Sequence, residues 1–224
     1  MSPRPALLAV NHPLCYSYSE PAAPQTNGSQ NGIKSHDQKL LSSLANPETV
    51  EDRVRYLYEH QQITTLLNEY AYVLDACMVN HTAAHKWAGL FTDDCDVTYP
   101  FGSHRGRDGL AEWAMTAETR FYRMLHSSSN MTISFTSDTT AHARSALHAI
   151  CGTHDNDIGQ VFQEGGYYYW SFRKDHPDHD HGHLQGRGQG QGQGRGTWRI
   201  SYLFLDVNWT SGDSLGLNEP GAAD

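Results

Sequence analysis

Four side chains in this sequence could together move a proton: Asp75, His126, Tyr70 and Tyr99. A carboxylate that holds an imidazole fixes its tautomer and raises its basicity, and the imidazole gives the carboxylate a partner. Such a pair in an apolar cavity is a general acid and base. Asp75 falls near the end of a long helical pattern and His126 at the start of a strand pattern. Between them lie a short helix, a strand ending in Val97-Thr98-Tyr99-Pro100 and a third helix. That order lays helices over a curved sheet, so residues remote in the chain can converge in one pocket. The structural alternatives are that Asp75 caps the next helix or bonds backbone amides at a rim, that His126 bonds a main-chain carbonyl, and that both tyrosines are packing. Against the first stands the cost of burying an unpaired carboxylate on an otherwise apolar helix face.

The elements that must position these residues are legible from periodicity. Asn46-Pro47-Glu48-Thr49 reads as a helix start, with Asn at the N-cap, Pro at the first helical position and acids in the first turn. Val54, Leu57, Ile63, Leu66, Leu67, Tyr70, Val73 and Leu74 then recur at helical spacing, predicting a helix over about Val50 to Met78. A shorter helix is expected from Thr82 to Phe91, and a strand from Cys95 to Tyr99 that Pro100-Phe101-Gly102 ends. A third helix runs to about Met124, with Leu110, Trp113, Ala114, Ala117 and Phe121 on its inner stripe. The period then changes to two: strands over His126–Phe135, Thr140–Thr153, Gln160–Lys174 and Thr197–Trp209. Helices followed by long antiparallel strands predict an α+β fold, three N-terminal helices packed on a strongly bent, mostly antiparallel sheet.

Composition sets the boundaries. Of 224 residues, the first 45 are rich in Pro, Ser, Asn, Gln and Ala and read as a disordered leader. A low-complexity insert at 175–196 falls in a strand–strand connection, where long additions cost little. The folded domain is expected over 46–212, with a tail at 213–224. The net charge is −9, from 16 basic and 25 acidic residues with no basic face, which argues against a nucleic-acid partner. Cys15, Cys77, Cys95 and Cys151 lack metal or disulfide-framework spacing, so reduced thiols in the cytoplasm are expected. The run Ala6–Val10 is too short for a signal-peptide core, and no apolar run approaches membrane-spanning length. The His176, His179, His181 and His183 tract reads as a solvated loop rather than a metal site. No nucleophile elbow, phosphate loop or dinucleotide fingerprint occurs in a fitting context, so no metal and no cofactor are expected.

Six motifs in order then carry a resemblance. They are Leu67-Asn68-Glu69-Tyr70-Ala71-Tyr72-Val73-Leu74-Asp75, Leu90-Phe91-Thr92-Asp93-Asp94, Gly106-Arg107-Asp108-Gly109-Leu110, Leu125-His126-Ser127, Gly165-Gly166-Tyr167-Tyr168 and Gly196-Thr197-Trp198-Arg199-Ile200. Over about Val50 to Gly212 the chain resembles the SnoaL-like branch of the nuclear transport factor 2-like superfamily, which includes scytalone dehydratase, polyketide cyclases and bile-acid dehydratases. The resemblance implies a cone-shaped fold. Asp75 resembles the helix-borne Asp of scytalone dehydratase, Tyr99 its pocket Tyr and His126 its base. The residue before Asp75 departs from that pattern, being Leu74 where the scytalone enzyme has Tyr. Tyr70, five residues upstream of Asp75, resembles instead the Tyr of the bile-acid enzymes. Cys151, with His148 and His154 nearby, stands where a second catalytic His would fall, and Gly166 and Tyr168 replace a Ser and an Asn.

The resemblance implies a cofactor-independent lyase or isomerase. It would use His126 and Asp75 as acid–base pair, and Tyr70 and Tyr99 as hydrogen-bond donors to a carbonyl. Dehydration, double-bond isomerisation or cyclisation of a small apolar oxygenated metabolite, polyketide or terpenoid, is expected. Trp113 and Phe121 are placed at the cavity mouth, Tyr168, Trp198 and Trp209 in its wall, and Asn130 and Ser145 as polar contacts. Epoxide opening or ether-ring formation would use the same pocket. A non-catalytic binding or dimerisation module would use the fold without the pair. Homodimerisation through the open sheet face is expected by analogy.

Overall fold

The computed structural model describes residues 44–80, 82–175 and 196–217; the expected leader up to residue 43, the body of the low-complexity insert with its histidine tract, and Cys15 lie outside the described residues. The first helix, α1 (Val50–Ala76), starts at Thr49 rather than Asn46. The Thr49 hydroxyl accepts from the Asp52 amide at 3.0 Å, and the Asp52 carboxylate accepts from the Thr49 amide at 3.1 Å. This reciprocal box satisfies two of the amides that a helix start leaves unpaired. Helix α2 (Thr82–Ala88) and strand β1 (Phe91–Tyr99) follow.

Strand β1 begins four residues earlier than periodicity predicts, because Phe91 pairs in parallel with Ile200 before a register shift restores pairing at Asp96. Strand β1 ends at Tyr99 as expected; because Tyr99 pairs with Gly102, Pro100-Phe101 is a hairpin turn into a further strand, β2 (Gly102–Arg105). Helix α3 (Leu110–Glu118) begins after Gly109, whose φ of 71° suits glycine. It stops well short of Met124, because the Tyr122 amide bonds the Gly152 carbonyl at 3.0 Å and draws the chain into the sheet. Strands β3 (Arg123–Phe135), β4 (Thr140–Gly152), β5 (Val161–Asp175) and β6 (Thr197–Ser211) complete the fold.

The six strands form one open mixed sheet in the order β2-β1-β6-β5-β4-β3, with β1 and β6 parallel and the other pairs antiparallel. The three helices cover one face. Ile63, Leu67, Tyr70 and Leu74 of α1 and Trp87 of α2 are buried in one cluster with Trp170, Ile200 and Leu203 of the sheet. The small inward residues expected on β4 (Ala141, Ala143, Ser145, Leu147, Ala149 and Cys151) are all buried, which lets the helical layer approach.

Two irregularities shape the site end. The β3–β4 register shifts between Ser129 and Thr132, where Asn130 takes a φ of 50°. A bulge of this kind changes which residues face inward: before it the half-buried Met124, His126 and Ser128 alternate with exposed residues, after it half-buried Met131 and buried Ile133 and Phe135 do. At Gly166, beside the β5–β6 register shift, a Cβ would stand 2.0 Å from the Asp206 carbonyl oxygen, so the approach of the two strands requires glycine. No described helix is long and apolar enough to cross a membrane.

Candidate active site

Asp75 sits in the last turn of α1, at the negative end of the helix dipole, where a carboxylate is disfavoured without donors. His126 supplies them. Its Nδ1 is 2.7 Å from Asp75 Oδ1, and its backbone amide lies 3.1 and 3.0 Å from Oδ1 and Oδ2. Strand β3 is a sheet edge, so that amide has no strand partner on the open side and the carboxylate satisfies it. The backbone-amide role weighed from sequence and the imidazole pairing are therefore both present. With Nδ1–H donating to the carboxylate, neutral His126 carries its lone pair on Nε2. Its side chain is 6% exposed and that of Asp75 19%.

His126 borders a small cavity under the helical layer, with Leu74 of α1, Glu118 of α3, and Phe162, Glu164 and Tyr168 of β5. Tyr99, Phe101, Phe121 and Cys151 also border it, and Leu217 closes it from the expected tail. The free volume is about 20 Å³, room for about one water. Phe121 stacks on Phe162 with ring centroids 5.9 Å apart. Together with Ala117, Cys151 and Leu217 they form a second buried cluster that shuts this end of the cavity.

Tyr99 presents its buried ring to the cavity, and its hydroxyl is hydrogen-bonded to that of Tyr70. Tyr70 itself is sealed among the rings of Trp87, Phe91, Tyr168 and Trp170. Burial pushes the pKa values of Tyr70, Tyr99 and Tyr168 upward, so these phenols stay neutral donors. Trp113 is half-buried; it stacks on Tyr99 at 5.8 Å and meets Phe101 in a tilted contact at 5.2 Å, backing the wall rather than lining it.

Four expected contacts lie elsewhere. Asn130 is exposed, because the bulge carries it off the inner face. Ser145 is fully buried, but its Oγ accepts from Trp170 Nε1 at 3.1 Å within the core. Trp198 donates to Glu59 Oε2 at 2.7 Å, beside a Lys174–Glu59 ion pair of 2.6 Å far from the cavity. Trp209, 47% exposed, lies on the outer face, where its indole covers Gly165.

Two carboxyl groups that the sequence motifs do not single out also belong to the site. Glu118 and Glu164 are both buried and both line the cavity. Burial pushes Glu118 up to about 7, with Glu164 and Asp75 adding to the rise and His126 opposing it. Burial likewise raises Glu164, again opposed by His126. Burial disfavours the imidazolium of His126, but the hydrogen bond to Asp75 and the charges of Glu118, Asp75 and Glu164 outweigh it, so His126 lies above its ordinary value. The available signal was position: Glu164 shares its strand parity with Tyr168, and Glu118 falls four residues after Ala114 on the inner stripe. Burial raises the thiols of Cys77 and Cys95 to about 11 and pushes that of Cys151 up, leaving none of the three activated. Among the described residues no group of three or more His, Cys, Asp or Glu is arranged to hold a metal ion.

A helical layer over an open mixed sheet, with an Asp–His pair beside a cavity between them, fits the cone-shaped α+β class. The SnoaL-like domain family matches residues 55–203, and the chain belongs to that family. A crystal structure from Novosphingobium aromaticivorans assigned as a scytalone dehydratase is 25% identical, with a TM-score of 0.53 over 70% of this chain and 89% of that one. A function-unknown protein from Mycobacterium tuberculosis is 21% identical, with a TM-score of 0.51 over 68% and 77%. Hexachlorocyclohexane dehydrochlorinase LinA-type3 from Novosphingobium barchaimii shares the fold at 15% identity, with a TM-score of 0.54 over 72% and 94%. No curated protein matches. Family and neighbours support enzymatic activity of a general lyase or isomerase kind.

Proposed function

We propose that this protein is a cofactor-independent lyase or isomerase that eliminates water from, or shifts a double bond in, a small apolar oxygenated metabolite such as a polyketide or terpenoid. The observation that carries this reading is the 2.7 Å contact between His126 Nδ1 and Asp75 at the wall of a buried cavity. Asp75 fixes the tautomer, and Nε2 removes a proton from carbon beside a carbonyl. The carbonyl oxygen gathers negative charge, and Tyr99, hydrogen-bonded to Tyr70, donates to it. A positioned base supplies about 10²–10⁴-fold, and oriented donors in a dry site supply much of the rest.

A free volume of about 20 Å³ describes a closed site. A metabolite enters only if wall residues part. Assays of water loss over a panel of β-hydroxyketones, with wild type and His126→Ala in parallel, test the reading. Equal turnover by both proteins sinks it. A homodimer through the outer sheet face belongs to the same proposal. Leu125, Tyr167 and Trp209 expose apolar surface there, and sedimentation velocity measures the state.

A further inference from the structure

We propose that Glu164 is the second proton carrier of this site, delivering the proton with which an oxygen leaves the substrate as water while His126 takes a proton from carbon. The proposal rests on the reading above and supplies the acid that it lacks.

The sheet register places the two groups. His126 on β3 pairs with Ala149 on β4, and Ala149 pairs with Glu164 on β5. Residues directly opposite one another share a face, and neighbouring strands lie about 4.8 Å apart, so the two Cα atoms stand roughly 10 Å apart across one inner-face row. Ala149, fully buried and with only a methyl side chain, is the residue between them in this row. Both side chains line the same cavity.

Glu164 has the condition of a stored acid. It is 8% exposed, and its Oε2 has no hydrogen-bond partner among the described residues. An ionised carboxylate so placed would forfeit its hydration uncompensated, whereas the neutral acid keeps an O–H to offer to a ligand. The other titratable groups at the cavity wall are Glu118, Tyr99, Cys151 and Tyr168, with Asp75 behind His126. Asp75 is occupied by His126, Tyr99 by Tyr70, and burial disables the Cys151 thiol as an acid. Glu118 lies at the end of α3, outside the row, and acts on His126 through its charge.

The step balances. His126 Nε2 takes the proton α to the carbonyl, and the C–H electron pair becomes the new C=C bond. The C–O bond at the β carbon breaks with its electrons on oxygen, and the Glu164 proton converts that oxygen to water. The imidazolium then returns its proton to Glu164, so the enzyme is unchanged and substrate has become enone plus water.

The test uses 3-hydroxycyclohexanone and 3-acetoxycyclohexanone as probes, because acetate leaves without being protonated. Enone absorbance and deuterium exchange at the α carbon are followed in wild type, Glu164→Gln and His126→Ala. Glu164→Gln is expected to slow water loss roughly 10²-fold, to leave acetate loss within about twofold, and to retain exchange. His126→Ala is expected to abolish all three. Equal loss of both eliminations in Glu164→Gln, or no loss, overturns the role of Glu164 while leaving His126 in place. Undiminished rates in His126→Ala overturn the underlying reading instead. An infrared measurement stands apart from turnover and uses a Glu118→Gln background, which removes the other carboxyl that burial keeps protonated near neutral pH: that protein is expected to show a protonated-carboxyl carbonyl band at neutral pH that the double variant Glu118→Gln/Glu164→Gln lacks. Persistence of the band in the double variant, or its absence from Glu118→Gln, overturns the proposal. Should Glu164→Gln fail to fold, Glu164→Met, apolar and of similar length, takes its place in every arm.

Discussion

The hydroxyl of Tyr70, on α1, and that of Tyr99, at the end of β1, are hydrogen-bonded to each other inside the core, 29 positions apart in sequence. Tyr99 faces the cavity while Tyr70 is wholly buried behind it. One tyrosine is therefore the candidate contact, and the other holds and polarises it.

Tyr70→Phe is expected to leave the Tyr99 hydroxyl buried without its partner. Stability should fall by about 1–3 kcal/mol, the usual cost of such a group, as read by urea unfolding. Turnover should fall through kcat more than KM, because the donor is displaced from the charge that develops during reaction.

Asp75→Asn should preserve the packing but lose the carboxylate that receives both the imidazole and the His126 amide. We expect a loss of about 10²-fold or more in turnover. The His126 imidazole should also titrate at lower pH in this variant, which nuclear magnetic resonance of the ring protons measures directly.

Stability should decline with pH because of Glu118. Its folded-state value of about 7 exceeds the ordinary value of 4.5 for a glutamate. Between those values the unfolded chain has already released the proton that the folded protein keeps, so stability is fully present below about 4.5 and lost as pH rises towards 7. The interval corresponds to about 3 kcal/mol. Glu118→Gln should abolish this slope in denaturant titrations. Because Glu118 also raises His126, the same variant should move the acidic limb of the rate profile to lower pH.

Glu59 accepts from both Trp198 and Lys174 in a buried ion pair. Glu59→Ala should destabilise by roughly 3–5 kcal/mol, since it strands a buried ammonium. The folded fraction should keep its kinetic constants, because this network stands away from the cavity. Altered kinetics at full folding would place Trp198 back in the site.

Gly166→Ala should prevent native pairing of β5 and β6, because its Cβ would overlap the Asp206 carbonyl. Soluble yield and circular dichroism report it.

Periodicity alone was enough for the helix-then-strand order, the inward alanines of β4 and the placement of Asp75 and His126 on separate elements, since all of these are local or nearest-neighbour properties of the chain. The resemblance of six ordered motifs supplied the pairing of those two residues. Asn130 and Trp209 fall off the inner face through the bulge in β3 and the β5–β6 register shift between Val207 and Trp209, which parity counted along an ideal strand ignores. Trp198 and Ser145 were misplaced because an inward side chain can spend its polar atom on another core residue. Glu118 and Glu164 went unselected although their positions face inward. Only the register His126–Ala149–Glu164, a matter of which strand pairs with which, puts a second carboxyl opposite the imidazole. Local sequence governs where a side chain points along its own element. Strand pairing and helix docking, which depend on contacts between distant segments, decided which polar groups meet in the cavity and which are already satisfied.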